Sequence, residues 1–518
     1  MLLAVAANAT PTQNCNEEFE RGKTASRASH FAEAEPILAG VLDCFSTVGD
    51  SPLLGNINTE LAISLRGQGR YPEALTLFER ALQLFEKDGA NLPNRASALN
   101  NIASVFQATG NVDKAAAFYL QAIELWKQAG GNTAGYVRTL SNLASISVAQ
   151  GDSQKAESLL LEATDRSASD PKSLERAGAL NLLGMLYDKL GRPEAEELLR
   201  EAVALREGLS GPNHMETAIV LNNLGHVLDT KRQYAEAEQL VSRAYQICSA
   251  SVGPVSRCVS MLNNLACIQE NTGRFEKAEA NFKEAIRAYG SVPSGNLGPL
   301  AGTLNNLAKL YAGRRQLREA EQLYTRALDV LSQMNQADSL DKAAVLTNLG
   351  ALRLEQHKVG PAEEAFRKAL ALDEALAGRD NWRVAKDCSS LAIIEEKRKN
   401  YDEANRLLQR AIDIDQRAFG PNSRQVAQEL CKLAEMQMAQ KRFVPAVDLF
   451  GRAFAIFGQD TGMKADAEIR ILNEFAFSLR QVEDYALAEK MAGRAMTLQV
   501  RTAIGKPLPG QAFLDSAR

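Results

Sequence analysis

Leu304-Asn305-Asn306-Leu307-Ala308 decides the reading of the chain, because nearly the same five residues return at regular intervals on either side of it. Leu262 to Ala266 is identical, while Leu99 to Ala103 reads LNNIA, Leu140 to Ala144 LSNLA, Leu180 to Gly184 LNLLG, Leu221 to Gly225 LNNLG and Leu346 to Gly350 LTNLG. Aligned on the small residue that closes this box, the copies are anchored on Gly22, Ala62, Ala103, Ala144, Gly184, Gly225, Ala266, Ala308, Gly350, Ala392, Ala434 and Ala476. The step is 40 residues from Gly22 to Ala62 and 42 from Ala434 to Ala476. Self-similarity at such a period marks stacked repeats rather than separate globular domains.

Working outward from the box, Leu304, Leu307, Ala308 and Tyr311 fall at i, i+3, i+4 and i+7, one stripe of an α-helix. Alanine recurs twelve residues after the anchor, as at Ala74, Ala278 and Ala320, and seven residues beyond that, as at Ala81, Ala285 and Ala327, with a large apolar residue such as Phe78, Phe282 or Tyr324 between. The copy anchored on Gly184 is one residue shorter in its turn and places Ala195 there. The two stripes are separated by short breaks such as Gly69-Arg70-Tyr71-Pro72 and Gly273-Arg274-Phe275, where glycine permits the left-handed turn that ends a helix. Each copy therefore reads as a helical hairpin. The expectation is an all-α, α-solenoid architecture of about twelve hairpins over residues 13–501, with at least about twenty-two helices and no sheet. Loops such as Gly211-Pro212-Asn213-His214, Ser251-Val252-Gly253-Pro254, Gly290 to Pro299 and Gly420-Pro421-Asn422 are too short to be domain linkers.

Composition agrees with a folded repeat protein. Of 518 residues, 45% are hydrophobic and 24% charged, near the averages for globular chains. A net charge of −4 offers no broad positive field, so no nucleic-acid partner is expected. Only 6% is aromatic, which suits helices packed through Ala and Leu. No apolar run approaches the roughly 18 residues of a membrane span. Residues 1–12 stand apart: Ala7-Asn8-Ala9 has the form of a signal-peptidase site, yet no basic residue precedes the short apolar run. A remnant of an export signal and a frayed apolar terminus both remain open, so the compartment reads as either cytoplasmic or exported. Residues 502–518 are expected to form a flexible tail, since Lys506-Pro507-Leu508-Pro509-Gly510 forbids a helix.

With small residue, Gly-x-Tyr turn, Ala, aromatic and Ala in this order, the pattern resembles the tetratricopeptide repeat, and its 40 to 42 residue period with an Asn-rich box is similar to the kinesin light chain variety. The resemblance implies a right-handed superhelix whose first helices line a concave groove that binds a protein or an extended peptide. It therefore implies an interaction scaffold, or alternatively the regulatory array of an enzyme or signalling protein carried on another chain. Two departures argue against a motor subunit: the repeats begin without a preceding heptad region, and His214 is followed by Met215 where the family has His-Pro. The outermost boxes are degraded, with Arg21 and Gly22 at one end and Glu474 at the other, as capping repeats require.

Little chemistry is written in the chain. Gly22-Lys23-Thr24 resembles the end of a phosphate loop, but Glu17 stands where its first glycine is needed. His30, His214, His226 and His357 lie in different copies without metal-ligand spacing, and no nucleophile motif is present, so neither enzyme activity nor a cofactor or metal is expected. The run Glu395 to Lys399 reads as the solvated end of a helix, or else as a docking patch. Among seven cysteines, Cys15 with Cys44 and Cys248 with Cys258 fall at neighbouring helix ends within disulfide reach. These four form bonds if the chain is exported, and otherwise serve as small apolar filler.

The second Asn of each box lies about 145° from the stripe that packs on the partner helix, so it faces away from the hairpin core. Asn101, Asn142, Asn223, Asn264, Asn306 and Asn348 form this ladder, interrupted at Leu182, with His226 and Lys309 among the neighbours on the same face. Two readings stand. Each amide bonds across to the adjacent hairpin and fixes the stacking, or the amides, both donor and acceptor, hold the main chain of an extended peptide.

Overall fold

The computed structural model describes residues 11–28, 30–45, 51–87, 91–130, 134–250, 255–289, 297–333, 339–458, 463 and 465–504. They form two compact units, divided after Gly295. The first holds α1 (Pro11–Arg27), α2 (Phe31–Phe45), α3 (Pro52–Gly67), α4 (Tyr71–Lys87), α5 (Leu92–Ala108), α6 (Val112–Gln128), α7 (Ala134–Gln150), α8 (Ser153–Arg166), α9 (Leu174–Lys189), α10 (Ala195–Ser210), α11 (Met215–Thr230), α12 (Tyr234–Ala250), α13 (Val255–Asn271) and α14 (Phe275–Tyr289). The second holds α15 (Gly298–Gly313), α16 (Leu317–Ser332), α17 (Leu340–Glu355), α18 (Val359–Ala377), α19 (Trp382–Lys397), α20 (Tyr401–Phe419), α21 (Arg424–Ala439), α22 (Phe443–Phe457), α23 (Ala465–Gln481) and α24 (Tyr485–Ile504). Among the described residues there is no strand. Consecutive helices pair, and within each unit every pair stacks on the next, giving an all-α solenoid.

The periodic residues account for each hairpin. Anchors, both alanines and the large residue between them are withdrawn from water: Ala266, Ala278, Phe282 and Ala285 are all fully buried. The anchor faces that large residue directly, and a Cβ added at Gly350 would lie 2.7 Å from the Phe366 ring. Between the helices, the residue seven after the anchor has positive φ in every described turn. It is glycine in Gly69, Gly110, Gly151, Gly191 and Gly273, but Arg232, Arg315, His357, Lys399, Lys441 and Glu483 adopt the same conformation. The next amide closes the turn on a carbonyl five residues back, as Arg274 N does on Gln269 O at 2.8 Å and Lys358 N on Arg353 O at 2.8 Å. This is the six-to-one bond of a Schellman cap, which needs a left-handed residue whatever its side chain.

A second signal, absent from the sequence reading, joins each copy to the next. The glutamate that follows the first alanine, Ala195 in the short copy, meets a cation from the following copy's turn. Glu35 meets Arg70 at 2.5 Å, Glu196 meets Lys231 at 2.9 Å, Glu238 meets Arg274 through two bonds of 2.8 Å, and Glu321 meets Lys358 at 3.1 Å. Glu157 with Arg192 and Glu363 with Arg398 complete the series.

Several expectations are refined. Gly22, Lys23 and Thr24 lie inside α1, where Thr24 Oγ1 donates to Glu20 O, so no phosphate loop exists there. The run Glu395 to Lys399 is the end of α19 and its turn, with Lys397, Arg398 and Lys399 exposed as expected; Glu395 alone is buried, bonded by Arg398 and Asn400, while Lys399 adopts the left-handed conformation. Helix α15 starts at Gly298, inside the stretch Gly290 to Pro299 read as a loop, because proline is well accommodated in a first turn. Helix α24 extends to Ile504, three residues into the expected tail. The signal-like segment Met1 to Thr10, the loop Ser251 to Pro254 and the rest of the tail lie outside the described residues.

Candidate functional site

The asparagines of the boxes are close enough to find each other along the first-helix face. Asn142 Nδ2 donates to Asn100 Oδ1 at 3.1 Å, Asn223 to Asn181 at 2.9 Å, Asn264 to Asn222 at 3.0 Å, and Asn348 to Asn305 at 2.8 Å. In each rung the second Asn of one copy donates to the first Asn of the copy before. Asn264 and Asn306 also accept from the neighbouring Asn263 and Asn305 at 3.4 Å. Much of the ladder's hydrogen-bonding capacity thus serves the stacking of copies.

The pattern fails at two places in the first unit, and both open into cavities. Asn101 should meet the first Asn position of the preceding copy, but Thr59 stands there, its hydroxyl donates to Gly55 O, and no rung forms among the described residues. Asn101 instead lines a cavity of about 600 Å³ together with Glu60, Arg66, Ser104 and Tyr119, and with Arg27 and Arg138. Arg66 donates to the Ser104 hydroxyl and has no carboxylate partner among the described residues; burial pushes its guanidinium down from the ordinary value. Glu60 is raised by burial, with Arg27 and then Lys23 drawing it back. Three guanidinium groups to one carboxylate give this cavity a positive interior.

At the second break, Leu182 replaces the donor, leaving the buried Ser141 hydroxyl without a hydrogen-bond partner among the described residues. Ser141 and Leu182 line a cavity of about 430 Å³ with Leu174, Ile219 and Arg206, whose Nε is likewise unbonded. The two cavities adjoin, since Arg138 and Asn142 line both. Here a row of polar groups with unspent bonding capacity follows a patch of apolar side chains along α3, α5, α7, α9 and α11.

Of the other residues singled out, His226 is half exposed, with Nε2 3.6 Å from Asp188 Oδ2. Lys309 is exposed on α15 in the second unit. Cys15 is bonded to Cys44 with a Cα separation of 6.5 Å, and Cys248 to Cys258 with 5.5 Å. Cys267, Cys388 and Cys431 carry thiols. Burial pushes Cys388 up to about 11 and Cys431 up to about 12, which removes them as nucleophiles. Among the described residues no group of three or more His, Cys, Asp or Glu is arranged to hold a metal, and no helix is long and apolar enough to cross a membrane. The cavity residues Arg66 and Arg138 carry no sequence signal beyond being arginines on a first helix; only the aligned absence of Asn at Thr59 points towards them.

Residues 20–87, 94–169, 175–250, 230–291, 299–375 and 387–459 match the family model of the tetratricopeptide repeat. Mitochondrial tetratricopeptide repeat protein 19 of Rattus norvegicus is 27% identical over 128 residues, 23% of this chain and 34% of that protein. Its Homo sapiens counterpart is 27% identical over 121 residues, 22% and 31% of the two chains. The chain thus spans about a third of the length of these relatives. Among solved structures, BtubC (BKLC) from P. vanneervenii aligns with a TM-score of 0.39 at 25% identity, over 44% of this chain and 90% of that one. The human IFIT1 dimer with PPP-AAAA aligns with a TM-score of 0.48 at 15% identity, over 86% and 91%.

Proposed function

The chain belongs to the tetratricopeptide repeat family, and from that premise we propose that it is an interaction scaffold whose first unit holds an extended, acidic segment of a partner protein along α3, α5, α7 and α9. One observation carries the reading: the asparagine ladder is satisfied internally except at Asn101, and there the unspent amide faces the same cavity as Arg66, a half-buried cation with no carboxylate partner among the described residues. A half-buried charge bonded only to a hydroxyl keeps unspent donors, and an incoming carboxylate takes them up through a charge-assisted bond. Arg138, reaching both cavities, continues the positive surface, while Leu174, Leu182 and Ile219 offer apolar contact further along. The surface favours protein over nucleic acid because Glu60 and Glu216 also line it and the chain as a whole is acidic.

The test is titration of the full chain with fluorescent peptide pools, one rich in Asp and Glu and one in which these are Asn and Gln. The acidic pool should bind at least about tenfold more tightly, and Arg66→Met with Asn101→Ala should remove that preference. The control Asn264→Ala should bind as the unaltered chain does. Equal binding of both pools, or a preference that survives the double substitution, would overturn the reading.

The two disulfides support a compartment that oxidises thiols. Mass spectrometry of alkylated native protein checks this: two pairs protected from alkylation and three thiols modified after unfolding are expected. Seven modified cysteines would point to a reducing compartment.

A further inference from the structure

Asp387 in the middle of α19 and Asp373 near the end of α18 are shielded from solvent, at 1% and 3% exposure. The Thr347 hydroxyl on α17 donates to Asp387 Oδ1 at 2.8 Å. The other Asp387 oxygen, Oδ2, and Oδ1 of Asp373 are both buried without a hydrogen-bond partner among the described residues. The carboxyls lie side by side, near enough for each to act on the other's ionisation through a hydrogen bond. Two carboxylates in one apolar interface repel each other and lose their hydration, so one of them holds a proton unless a cation intervenes.

A comparison built into the repeat shows what is missing. Ser389, Asp415 and Glu429 stand 42 residues after Thr347, Asp373 and Asp387, one copy later. There the Ser389 hydroxyl donates to Glu429 Oε2 at 2.7 Å, and Lys432 Nζ reaches Glu429 Oε1 at 2.7 Å. The later site thus contains a lysine bonded to one acid; the earlier one has none. Around Asp387 and Asp373 the charged groups are Lys386 and Arg383 on α19, Lys309 from α15, Glu374 on α18, and Arg406 and Arg410 from α20. Arg383 donates to Leu340 O and Arg410 is joined to Glu374. Lys386 is exposed and forms no ion pair with either acid among the described residues.

We propose that Asp373 and Asp387 share one proton across the junction of the ninth and tenth copies, so that the packing of α17 and α18 on α19 is a pH-responsive joint within the second unit. A single proton satisfies both orphaned oxygens, with Thr347 holding Asp387 in place. Burial, ahead of the neighbouring Asp373 charge, pushes Asp387 up to about 8. A carboxyl whose folded value is raised stabilises the fold fully below the ordinary carboxylate range, and that stability drains away as pH rises to the folded value. The joint is therefore firm in mild acid and loosens towards pH 8, beyond which it changes no further.

Hydrogen exchange of the full chain between pH 5 and 8.5, corrected for intrinsic chemistry, reads the joint locally. The opening constant of amides in α18 and α19 should rise by up to about tenfold per pH unit and level off near pH 8, while helices α3 to α6 show no such slope. Asp387→Asn keeps the shape and removes the titrating pair, so its slope in α18 should be strongly reduced, and what remains in α19 comes from Asp415 on α20, which burial also pushes up to about 7. Infrared spectra supply an independent reading: a protonated-carboxyl band should persist at pH 6 in the unaltered chain and weaken in D387N. An unchanged slope in D387N, or no protonated carboxyl at pH 6 in the unaltered protein, would overturn the proposal.

Discussion

Asn264 Nδ2 lies 3.0 Å from Asn222 Oδ1, joining α13 to α11 across 42 residues of sequence. Because the same bond recurs at Asn142, Asn223 and Asn348, it is a property of the stack and not of any one copy. Asparagine is a poor residue for mid-helix, costing roughly 0.5 kcal/mol against alanine. A rung offsets that only if its hydrogen bond persists in the folded state.

Asn264→Ala is therefore expected to destabilise the first unit by about 0.5 kcal/mol, a hydrogen bond of usual net worth near 1 kcal/mol less the helix propensity gained. The double variant with Asn222→Ala should fall by less than the two single effects combined, since both remove one interaction. Chemical denaturation of the four proteins measures the coupling. Strict additivity, or a gain in stability for Asn264→Ala alone, would show that the rung contributes nothing.

The fold was legible because a box repeated twelve times averages away the ambiguity of any one helix. The position of the Asn ladder was legible for the same reason, since helical geometry alone turns its second Asn away from Ala308 and its equivalents. What the ladder bonds to was not, because the angle of an amide on one helix says nothing of the distance to the next. The cavity at Arg66 and the acid pair at Asp373 and Asp387 depart from the repeat, and a pattern built on recurrence discards departures as noise.

Six of the hairpin turns force a residue with a side chain into the left-handed region, where L residues are disfavoured by about 1–2 kcal/mol. His357→Gly should thus stabilise the second unit by about 0.5–1 kcal/mol after the extra entropy of an unfolded glycine is subtracted. Gly69→Ala is the converse. A Cβ there meets nothing within 4 Å, so the whole effect, a loss of about 1 kcal/mol, comes from backbone conformation. Equilibrium melting of both variants checks the signs. If His357→Gly destabilises the unit, the turn conformation is held by side-chain contacts instead.

Reduction should act locally. The Cys15–Cys44 bond spans 29 residues and Cys248–Cys258 spans 10, and chain-entropy reasoning gives about 3–4 and about 3 kcal/mol respectively. Treatment with a phosphine reductant is expected to expose α1 and α2 to exchange first, because among the described residues that hairpin packs on one neighbouring copy, whereas α12 and α13 are held by copies before and after. Equal loss of protection at both staples would argue that the terminal hairpin draws no special support from its bond.

Acid should weaken the ladder of glutamates and turn cations. Glu238 is held below the ordinary glutamate value first by the hydrogen bond from Arg274, and Glu363 likewise by Arg398. A depressed carboxyl contributes its stability above the unfolded value, near 4.5, and loses it as pH falls through the lower folded value. Glu238→Gln removes the charge at every pH, so it should melt below the unaltered chain at pH 7. The two melting temperatures should converge as pH drops below about 4. Because the pair is partly exposed, added salt should narrow the gap at pH 7 as well, since screening weakens a surface ion pair. A gap that stays constant from pH 7 down to pH 3 would mean that Glu238 supports the junction through packing of its methylenes, and that the charge is incidental.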